Sequence, residues 1–314
     1  MSVPRLQPLT RAKLSGQGEE GAAWHRALPS VLAELAEQWD LTLGRALPGG
    51  SASYVCRATT RDGEARVVKV GAPGHHLVAE VRVLRAAGGR GYVLLHAHDA
   101  ERDAILVEAL GRSLAQTPDP PERAIGLVAD TLREAWTLPL DAVPPGEDKA
   151  VSLHALVRDL DERLGHPTDP AVLRTALDHA EALAGHDPGH DVVLHGDAHP
   201  GNTLPVLAPR GGAPVGHVFV DPDGFRGDPA YDAGVALRDW CSHLTGPGAR
   251  ARLEGWCDLA ADHTGLDPAR IWAWAFLERV STGLYVMSFG AERVGRPFLA
   301  SAEHLLHDRH RPWA

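Results

Sequence analysis

The sequence has no apolar run of about 18 residues and few cysteines, and each absence excludes a class of protein. Without such a run, no segment is predicted to span a membrane. The N-terminal stretch MSVPRLQPLTRAKLSGQGEEG has no apolar core, so we do not expect a secretory signal there. The three cysteines, Cys56, Cys241 and Cys257, show no metal-ligand spacing, and an odd number does not indicate a disulfide framework. Together these features predict a protein of the reducing cytoplasm.

Basic residues are also in the minority, with 31 Lys and Arg against 41 Asp and Glu and a net charge of -10. A protein that binds a phosphate backbone needs a basic patch, so nucleic acid is not a predicted partner. An acidic surface would suit a cationic small molecule, and it equally suits simple solubility. No heptad seam stands out, so the sequence predicts no oligomeric state.

The first part of the chain has the pattern of a small sheet with one inserted helix. Extended runs predict three strands within residues 41–71, with a hairpin at Asp62-Gly63. The stretch HHLVAEVRVLRAAGG predicts a helix that ends at Gly88-Gly89. Two more strands are predicted around a polar turn at residues 99–103.

The segment before this sheet is predicted to be helical from about residue 19. Within it, Pro29 is predicted to start a helix or to join two short helices. Residues 1–18 are predicted to be a loose, mixed-charge tail.

From Gly111 onward, apolar residues recur at i, i+3 and i+4 spacing in five segments, which predicts a mostly helical part. The sequence therefore predicts an α+β protein of two lobes. The N-terminal lobe is assigned to residues 1–108 and the C-terminal lobe to residues 109–314, with a linker near residues 108–113. A chain of 314 residues can bury a full core in either one domain or two lobes.

The stretch VVLHGDAHPGNTL, followed by VFVDPDGF, allows three interpretations. The first is a hydrolytic metal site on His195, Asp197 and His199, which would share one face of a strand. The second is phosphoryl transfer, and the third is a polar turn between two strands. The other histidines form no second ligand cluster, and Pro200-Gly201 breaks a strand directly after His199, which disfavours the first interpretation.

Phosphoryl transfer requires several parts, and the chain has a candidate for each in a consistent order. Lys69 closes an apolar run and could hold phosphates, and Glu80 on the next helix could hold that lysine. Asp197 could be the base, while the oxygens of Asn202 and Asp221 suit Mg²⁺. Each residue alone has an ordinary structural explanation, but their joint order favours a kinase-like phosphotransferase.

The stretch LPGGSASYV could cover nucleotide phosphates with backbone amides from Gly49, Gly50 and Ser51. It is neither a GxGxxG motif nor a Walker motif, because no lysine follows Gly49-Gly50 at the required spacing. The absence of that lysine argues against a P-loop ATPase.

LHGDAHPGN followed by VDPDGFRGDPAYD resembles the aminoglycoside phosphotransferase family, whose fold is similar to that of the eukaryotic protein kinases. Further stretches, including AILVEALGRSLA and ADHTGLDPARIWAWAFLERVSTGLY, are similar to the streptomycin phosphotransferase and hydroxyurea kinase branch. The resemblance extends from about residue 18 to the end. It implies an antibiotic-resistance kinase that uses ATP and Mg²⁺.

The resemblance also implies a role for each candidate residue. Asp197 is similar to the catalytic base, Asn202 and Asp221 to the metal ligands, and Lys69 and Glu80 to the pair that orients ATP. The remaining implied roles are those of the lobe-connecting segment that meets adenine (Leu106, Glu108, Leu110) and of the residues that brace the catalytic loop (His195, Asp232).

The acceptor is expected to be a small molecule with a hydroxyl group, and the resemblance implies streptomycin. Streptomycin carries guanidinium groups, which pair with carboxylates and stack on aromatic rings. The candidates for these contacts are Asp223, Asp239, Glu278 and Trp274, although tryptophans on that helix also suit a core. Hydroxyurea or an amino sugar stays open as acceptor, as does a kinase-like protein without catalysis.

Overall fold

The structure is a computed structural model that describes residue 6, residues 8–47 and residues 53–307. The five longest strands lie within residues 41–108, and the described residues after 120 are mostly helical. The elements are α1 (Pro8–Gly16), α2 (Gly18–Gln38), β1 (Leu41–Ala46), β2 (Ser53–Thr60), β3 (Ala65–Gly71), α3 (Val78–Ala87), β4 (Leu95–Asp99), β5 (Ala104–Glu108), α4 (Pro121–Ala135), α5 (Lys149–Arg163), α6 (Pro170–Leu183), β6 (Val192–Leu194), β7 (Thr203–Pro205), β8 (His217–Phe219), β9 (Phe225–Gly227), α7 (Pro229–Ala236), α8 (Ala249–Thr264), α9 (Pro268–Ser288) and α10 (Glu292–His307).

Within the described residues, the N-terminal lobe has a five-stranded antiparallel sheet in the order β1-β2-β3-β5-β4. Strands β2 and β3 form the hairpin predicted at Asp62-Gly63. Helix α3 follows β3 and ends at Gly88, whose φ of 53° is a left-handed conformation that favours glycine. The predicted small sheet with one inserted helix is confirmed.

The prediction of a loose tail was wrong for residues 8–16, which form α1. Leu14 is buried in the same apolar cluster as Leu28 and Leu32 of α2, so burial stabilises a helix that the mixed charges had obscured. The prediction for Pro29 was also wrong, since Pro29 lies inside the single helix α2. Proline in a helix interior costs about 3 kcal/mol, and the buried leucine face of α2 offsets that cost.

The C-terminal lobe is organised around α9. Helices α5, α6, α7, α8 and α10 all pack against it, and its side chains are buried on nearly every face between Ile271 and Leu284. A helix that is apolar around its whole circumference is typical of a core position. The five predicted helical segments are confirmed. No helix in the described ranges has the length and apolarity that crossing a membrane would require.

Candidate active site

The first half of the candidate site is built by the hairpin of β7 and β8. Thr203 pairs with Phe219, so the residues just outside this pair, Asn202 and Val220, lie at the same end of the hairpin. The Val220 N–H donates to the Asn202 carbonyl at 3.0 Å. This pairing brings Asp221 next to the segment that contains Asn202.

The second half is built by β6 and β9. Leu194 pairs with Phe225, and the Asp223 N–H donates to the His195 carbonyl at 2.8 Å. Gly196 has a φ of +90°, and a Cβ there would lie 2.7 Å from the Cβ of Asp223. The glycine of the HGD sequence is therefore required both by its backbone conformation and by the close approach of the two loops.

His195 holds the loop through both of its ring nitrogens. Its Nε2 donates to the Val220 carbonyl at 2.9 Å, and its Nδ1 accepts from the Asp197 N–H at 3.0 Å. Burial lowers the pKa of His195, which keeps the ring neutral. These two hydrogen bonds leave neither nitrogen for a metal, which argues against the hydrolytic metal site. The part of the chain that the structure describes has no group of three His, Cys, Asp or Glu residues that could hold a metal ion.

Asp232 braces the same loop from α7. Its buried carboxylate accepts from the N–H groups of His195 at 2.8 Å and Gly196 at 2.9 Å, and from the indole of Trp136 at 3.0 Å. Three donors thus depend on one side chain, which is fully buried.

We expect Asp232→Ala to destabilise the protein strongly, because it leaves three buried donors without an acceptor. Each such donor costs about 1–3 kcal/mol, so the free energy of unfolding should fall by about 3 kcal/mol or more. Urea denaturation followed by tryptophan fluorescence measures this change. Asp232→Asn keeps one carbonyl acceptor, so its free energy of unfolding should lie between those of the wild type and Asp232→Ala. A loss below about 1 kcal/mol for Asp232→Ala would show that the carboxylate is not needed to brace the loop.

Asp197 faces the cleft and is held by two cations. Arg238 donates to its Oδ1, and His199 Nε2 lies 3.5 Å from its Oδ2. Burial alone would raise the pKa of Asp197, but Arg238 and His199 lower it well below its usual range. The carboxylate is therefore ionised and fixed in direction.

Arg238 and His199 are functional candidates that the sequence did not identify in these roles. Arg238 also lies 3.4 Å from Glu278 and 3.8 Å from Asp239, so one guanidinium joins three carboxylates. Burial opposes the charge of His199, but Asp197 and Asp239 raise the pKa of His199 to about 9. The available signal was that Arg238 directly precedes Asp239, a candidate acceptor contact. An arginine next to an aspartate is too common a pair to identify a site by itself.

Lys69 and Glu80 form the ion pair that the sequence predicted, and Asp221 joins them, which the sequence did not predict. The Lys69 Nζ lies 2.5 Å from Glu80 and 2.9 Å from Asp221, and Lys69 and Glu80 are almost fully buried. Burial would lower the pKa of Lys69, but the two carboxylates outweigh it and raise the pKa, so the ammonium stays charged. The arrangement places one fixed positive charge beside the candidate metal ligand.

Asn202 and Asp221 offer the donor set that Mg²⁺ prefers. The Asn202 Nδ2 donates to the Asp197 carbonyl at 3.1 Å, which leaves its amide oxygen available for a cation. Asp221 binds Lys69 through Oδ1 and has a φ of 59°, an uncommon conformation for a residue with a side chain. One amide oxygen and one carboxylate at a shared end of a hairpin fit a hard divalent cation.

The predicted nucleotide contacts are only partly described. Gly49, Gly50 and Ser51 lie outside the described residues. Leu106 and Leu110 are buried at the lobe connection, where they are 6% and 8% exposed.

Glu108 also joins parts of the protein to each other, and its predicted backbone contact with adenine stays a prediction. Its N–H donates to the Leu94 carbonyl at 3.0 Å and its carboxylate accepts from the Leu94 N–H at 2.9 Å. The same carboxylate pairs with Arg210, which also donates to the Tyr92 carbonyl at 2.9 Å. The Glu108 side chain therefore joins the end of the sheet to the loop between β7 and β8.

Three of the four candidate acceptor residues lie near Asp197. Asp239 and Glu278 contact its partners His199 and Arg238, and Asp223 belongs to the facing loop. Burial and the charge of Asp197 raise the pKa of Asp223 to about 6.

Trp274 is the exception, and the prediction that it contacts the acceptor was wrong. It is 2% exposed, its indole donates to Asp228 at 2.7 Å, and its ring packs edge-on against Tyr231. Asp228 is the N-cap of α7, so Trp274 belongs to the packing beneath the site.

The sequence matches known kinases along most of its length. A family model for aminoglycoside/hydroxyurea antibiotic resistance kinases matches residues 38–290. A streptomycin 6-kinase from Streptomyces glaucescens is 30% identical over 305 residues, which cover 93% of this chain and 94% of that protein.

Solved structures share the fold. A choline/ethanolamine kinase family protein from Mesorhizobium loti has a TM-score of 0.63 at 19% identity, over 90% of this chain and 95% of that chain. An aminoglycoside phosphotransferase from Streptomyces rimosus, in complex with ADP and streptomycin, has a TM-score of 0.54 at 18% identity, over 81% and 98% of the two chains. The predicted two-lobed, kinase-like α+β fold is confirmed.

Proposed function

The chain belongs to the aminoglycoside/hydroxyurea antibiotic resistance kinase family, and on this basis we propose that it phosphorylates streptomycin or a closely related aminoglycoside. It is a small-molecule phosphotransferase, as its relatives are. The proposed donor is the γ-phosphoryl group of ATP and the proposed cation is Mg²⁺. The proposal of streptomycin as acceptor rests on the near full-length similarity to streptomycin 6-kinases, at 30% and 31% identity.

In the proposed reaction, Asp197 positions the acceptor hydroxyl. Its Oδ1 is held by Arg238, while Oδ2 accepts a hydrogen bond from the Asn202 Nδ2 at 3.3 Å and lies 3.5 Å from the His199 Nε2. We assign proton acceptance to Oδ2, which would take the proton as the hydroxyl oxygen bonds to phosphorus. The bond between the γ-phosphorus and the bridging oxygen breaks, and ADP leaves. The low pKa of Asp197 limits its strength as a base, which suits a reaction whose transition state is loose and depends mainly on positioning.

The donor side of the reaction is assigned to Lys69, Asn202 and Asp221. The buried ammonium of Lys69 binds the phosphates, and Glu80 fixes its direction. Asn202 and Asp221 would hold Mg²⁺, which supplies positive charge to the phosphate oxygens when it is bound.

The carboxylates around Asp197 favour a cationic acceptor. Asp223, Asp239 and Glu278 add three carboxylates beside Asp197, and two cations, Arg238 and His199, oppose the four. The excess of negative charge favours a cationic group, and carboxylates bind guanidinium groups with two parallel hydrogen bonds. Hydroxyurea or an amino sugar is the alternative acceptor, and a non-catalytic nucleotide-binding role is a more distant one.

The test is ADP release by the purified protein with ATP and Mg²⁺, with and without streptomycin. We expect release that needs streptomycin and stops when EDTA removes the cation. Mass spectrometry should then show one added phosphate on the antibiotic, and NMR would identify the hydroxyl. Release with hydroxyurea or an amino sugar instead would reject the proposed acceptor, and no release with any of these acceptors would favour the non-catalytic role.

A further inference from the structure

Two exposed aromatic rings lie at the outer end of the helix that carries Glu278. Tyr285 and Phe289 are 44% and 41% exposed, and their ring centroids are 4.6 Å apart in an edge-to-face arrangement. Most other aromatic side chains of α9 are buried, including Trp272 and Phe276. An exposed aromatic pair on an otherwise buried helix requires an explanation.

These rings share one helical face with the acceptor site. Glu278, Thr282, Tyr285 and Phe289 are spaced i, i+4, i+7 and i+11, which places them along a single stripe of α9. Glu278 contacts Arg238 beside Asp197, and exposure increases along the stripe away from it. With a rise of about 1.5 Å per residue, Tyr285 lies about 10 Å along the helix from Glu278 and Phe289 about 16 Å.

The ammonium group of Lys13 already lies against both rings. The Lys13 ammonium lies 5.9 Å from the Tyr285 ring centroid and 5.4 Å from that of Phe289. Both distances are within the range in which a cation is attracted to the face of an aromatic ring.

The lysine comes from the opposite lobe. Leu14, its neighbour in α1, is buried in the apolar cluster of the N-terminal lobe. The side chain of Gln17 donates to the Pro73 carbonyl after β3, which fixes the end of α1 to the same lobe. The contact of Lys13 with Tyr285 and Phe289 therefore joins the N-terminal lobe to the C-terminal end of α9.

The pKa shifts of Lys13 and Tyr285 agree with a position of this contact near the candidate acceptor site. Burial lowers the pKa of Lys13, and the charge of Asp197 partly opposes that effect. Burial raises the pKa of Tyr285, and Asp223 adds to the increase. Lys13 and Tyr285 are therefore within electrostatic range of two carboxylates of the candidate acceptor site, Asp197 and Asp223.

We propose that Tyr285 and Phe289 form a cation-binding subsite for the acceptor, and that a guanidinium or ammonium group of the acceptor replaces Lys13 there. This inference rests on the proposed function, because it assumes that the acceptor is cationic. A hydroxyl of such an acceptor would lie at Asp197 while a cationic group farther along the molecule reaches the rings. In the free protein, Lys13 occupies the subsite and competes with the acceptor.

The test compares streptomycin binding by calorimetry in four proteins: wild type, Tyr285→Leu, Tyr285→Phe and Lys13→Met. Tyr285→Leu removes the ring and keeps apolar bulk, so we expect binding about 3- to 20-fold weaker. Tyr285→Phe keeps the ring and should bind like the wild type. Lys13→Met removes the competing cation and should bind more tightly by a similar factor. In kinetics the KM for streptomycin should change in the same directions, while kcat and the KM for ATP stay constant.

Two results would overturn the subsite while the proposed function stands. The first is unchanged binding of streptomycin by Tyr285→Leu. The second is weaker binding by Lys13→Met, because a lysine that supports the acceptor is not a competitor.

Failure of the proposed function is recognised separately, by the absence of streptomycin-dependent ADP release in the wild type. In that case methylguanidinium serves as the probe, with saturation-transfer NMR as the readout. Binding that Lys13→Met strengthens and Tyr285→Leu abolishes would support the subsite, and no binding to Lys13→Met would overturn it.

Discussion

Asp197→Asn should abolish nearly all phosphoryl transfer and leave nucleotide binding intact. Asparagine keeps the shape of the side chain but cannot accept the hydroxyl proton, and positioned acid–base groups contribute about 10²- to 10⁴-fold to rates. We expect kcat for streptomycin to fall by about 10³-fold. The dissociation constant for ATP, measured by titration with a fluorescent analogue, should stay within about threefold, because Lys69 and Asp221 are untouched.

A matched control separates the role of Asp197 from that of its surroundings. Asp239→Asn makes the same chemical change in a carboxylate that also lies near His199 and Arg238. If the loss came from disturbing these cations, both variants would lose the same activity. We expect Asp239→Asn to keep kcat within about tenfold, and turnover near wild type in Asp197→Asn would reject Asp197 as the positioning base.

The sequence predicted the parts of the site that depend on local order. Asp197 and Asp221 come shortly after apolar runs and Asn202 directly precedes one, and the pairing of these short strands brings the three residues together. Lys69 and Glu80 were predictable for the same reason, since a strand followed by a helix places both on one side of the sheet. The N-cap of α7 at Asp228 is also a local feature, since an aspartate directly before a proline is typical of a helix start.

The parts that the sequence did not predict depend on contacts between distant segments. Arg238 is one arginine among many, and only tertiary packing directs it at Asp197 across 41 residues of chain. Trp274 could have lined a cleft or filled a core, since helical spacing does not determine what the helix packs against. Helix α1 owes its existence to burial of Leu14 against α2, which a mixed-charge sequence does not reveal.

Lys69→Met should nearly abolish activity by a different route, through loss of ATP binding and of phosphate neutralisation. Methionine has a similar length and no charge, so the buried volume is kept while the one cation between Glu80 and Asp221 is lost. Loss of one electrostatic contact to the transition state typically costs about 10²- to 10³-fold, and we expect kcat/KM for ATP to fall by that factor. The same titration that shows normal ATP binding in Asp197→Asn should show weakened binding here.

The double variant Lys69→Met with Glu80→Gln distinguishes a lost catalytic charge from a damaged fold. Lys69→Met alone leaves the carboxylate of Glu80 buried without its cation, which destabilises the N-terminal lobe. Glutamine at position 80 removes that uncompensated charge, so the double variant should regain thermal stability. It should not regain ATP turnover, because the phosphates then lack the fixed ammonium of Lys69. If the double variant regained both turnover and stability, Lys69 would be needed only for folding. If it regained stability alone, the charge of Lys69 would be needed to bind the nucleotide.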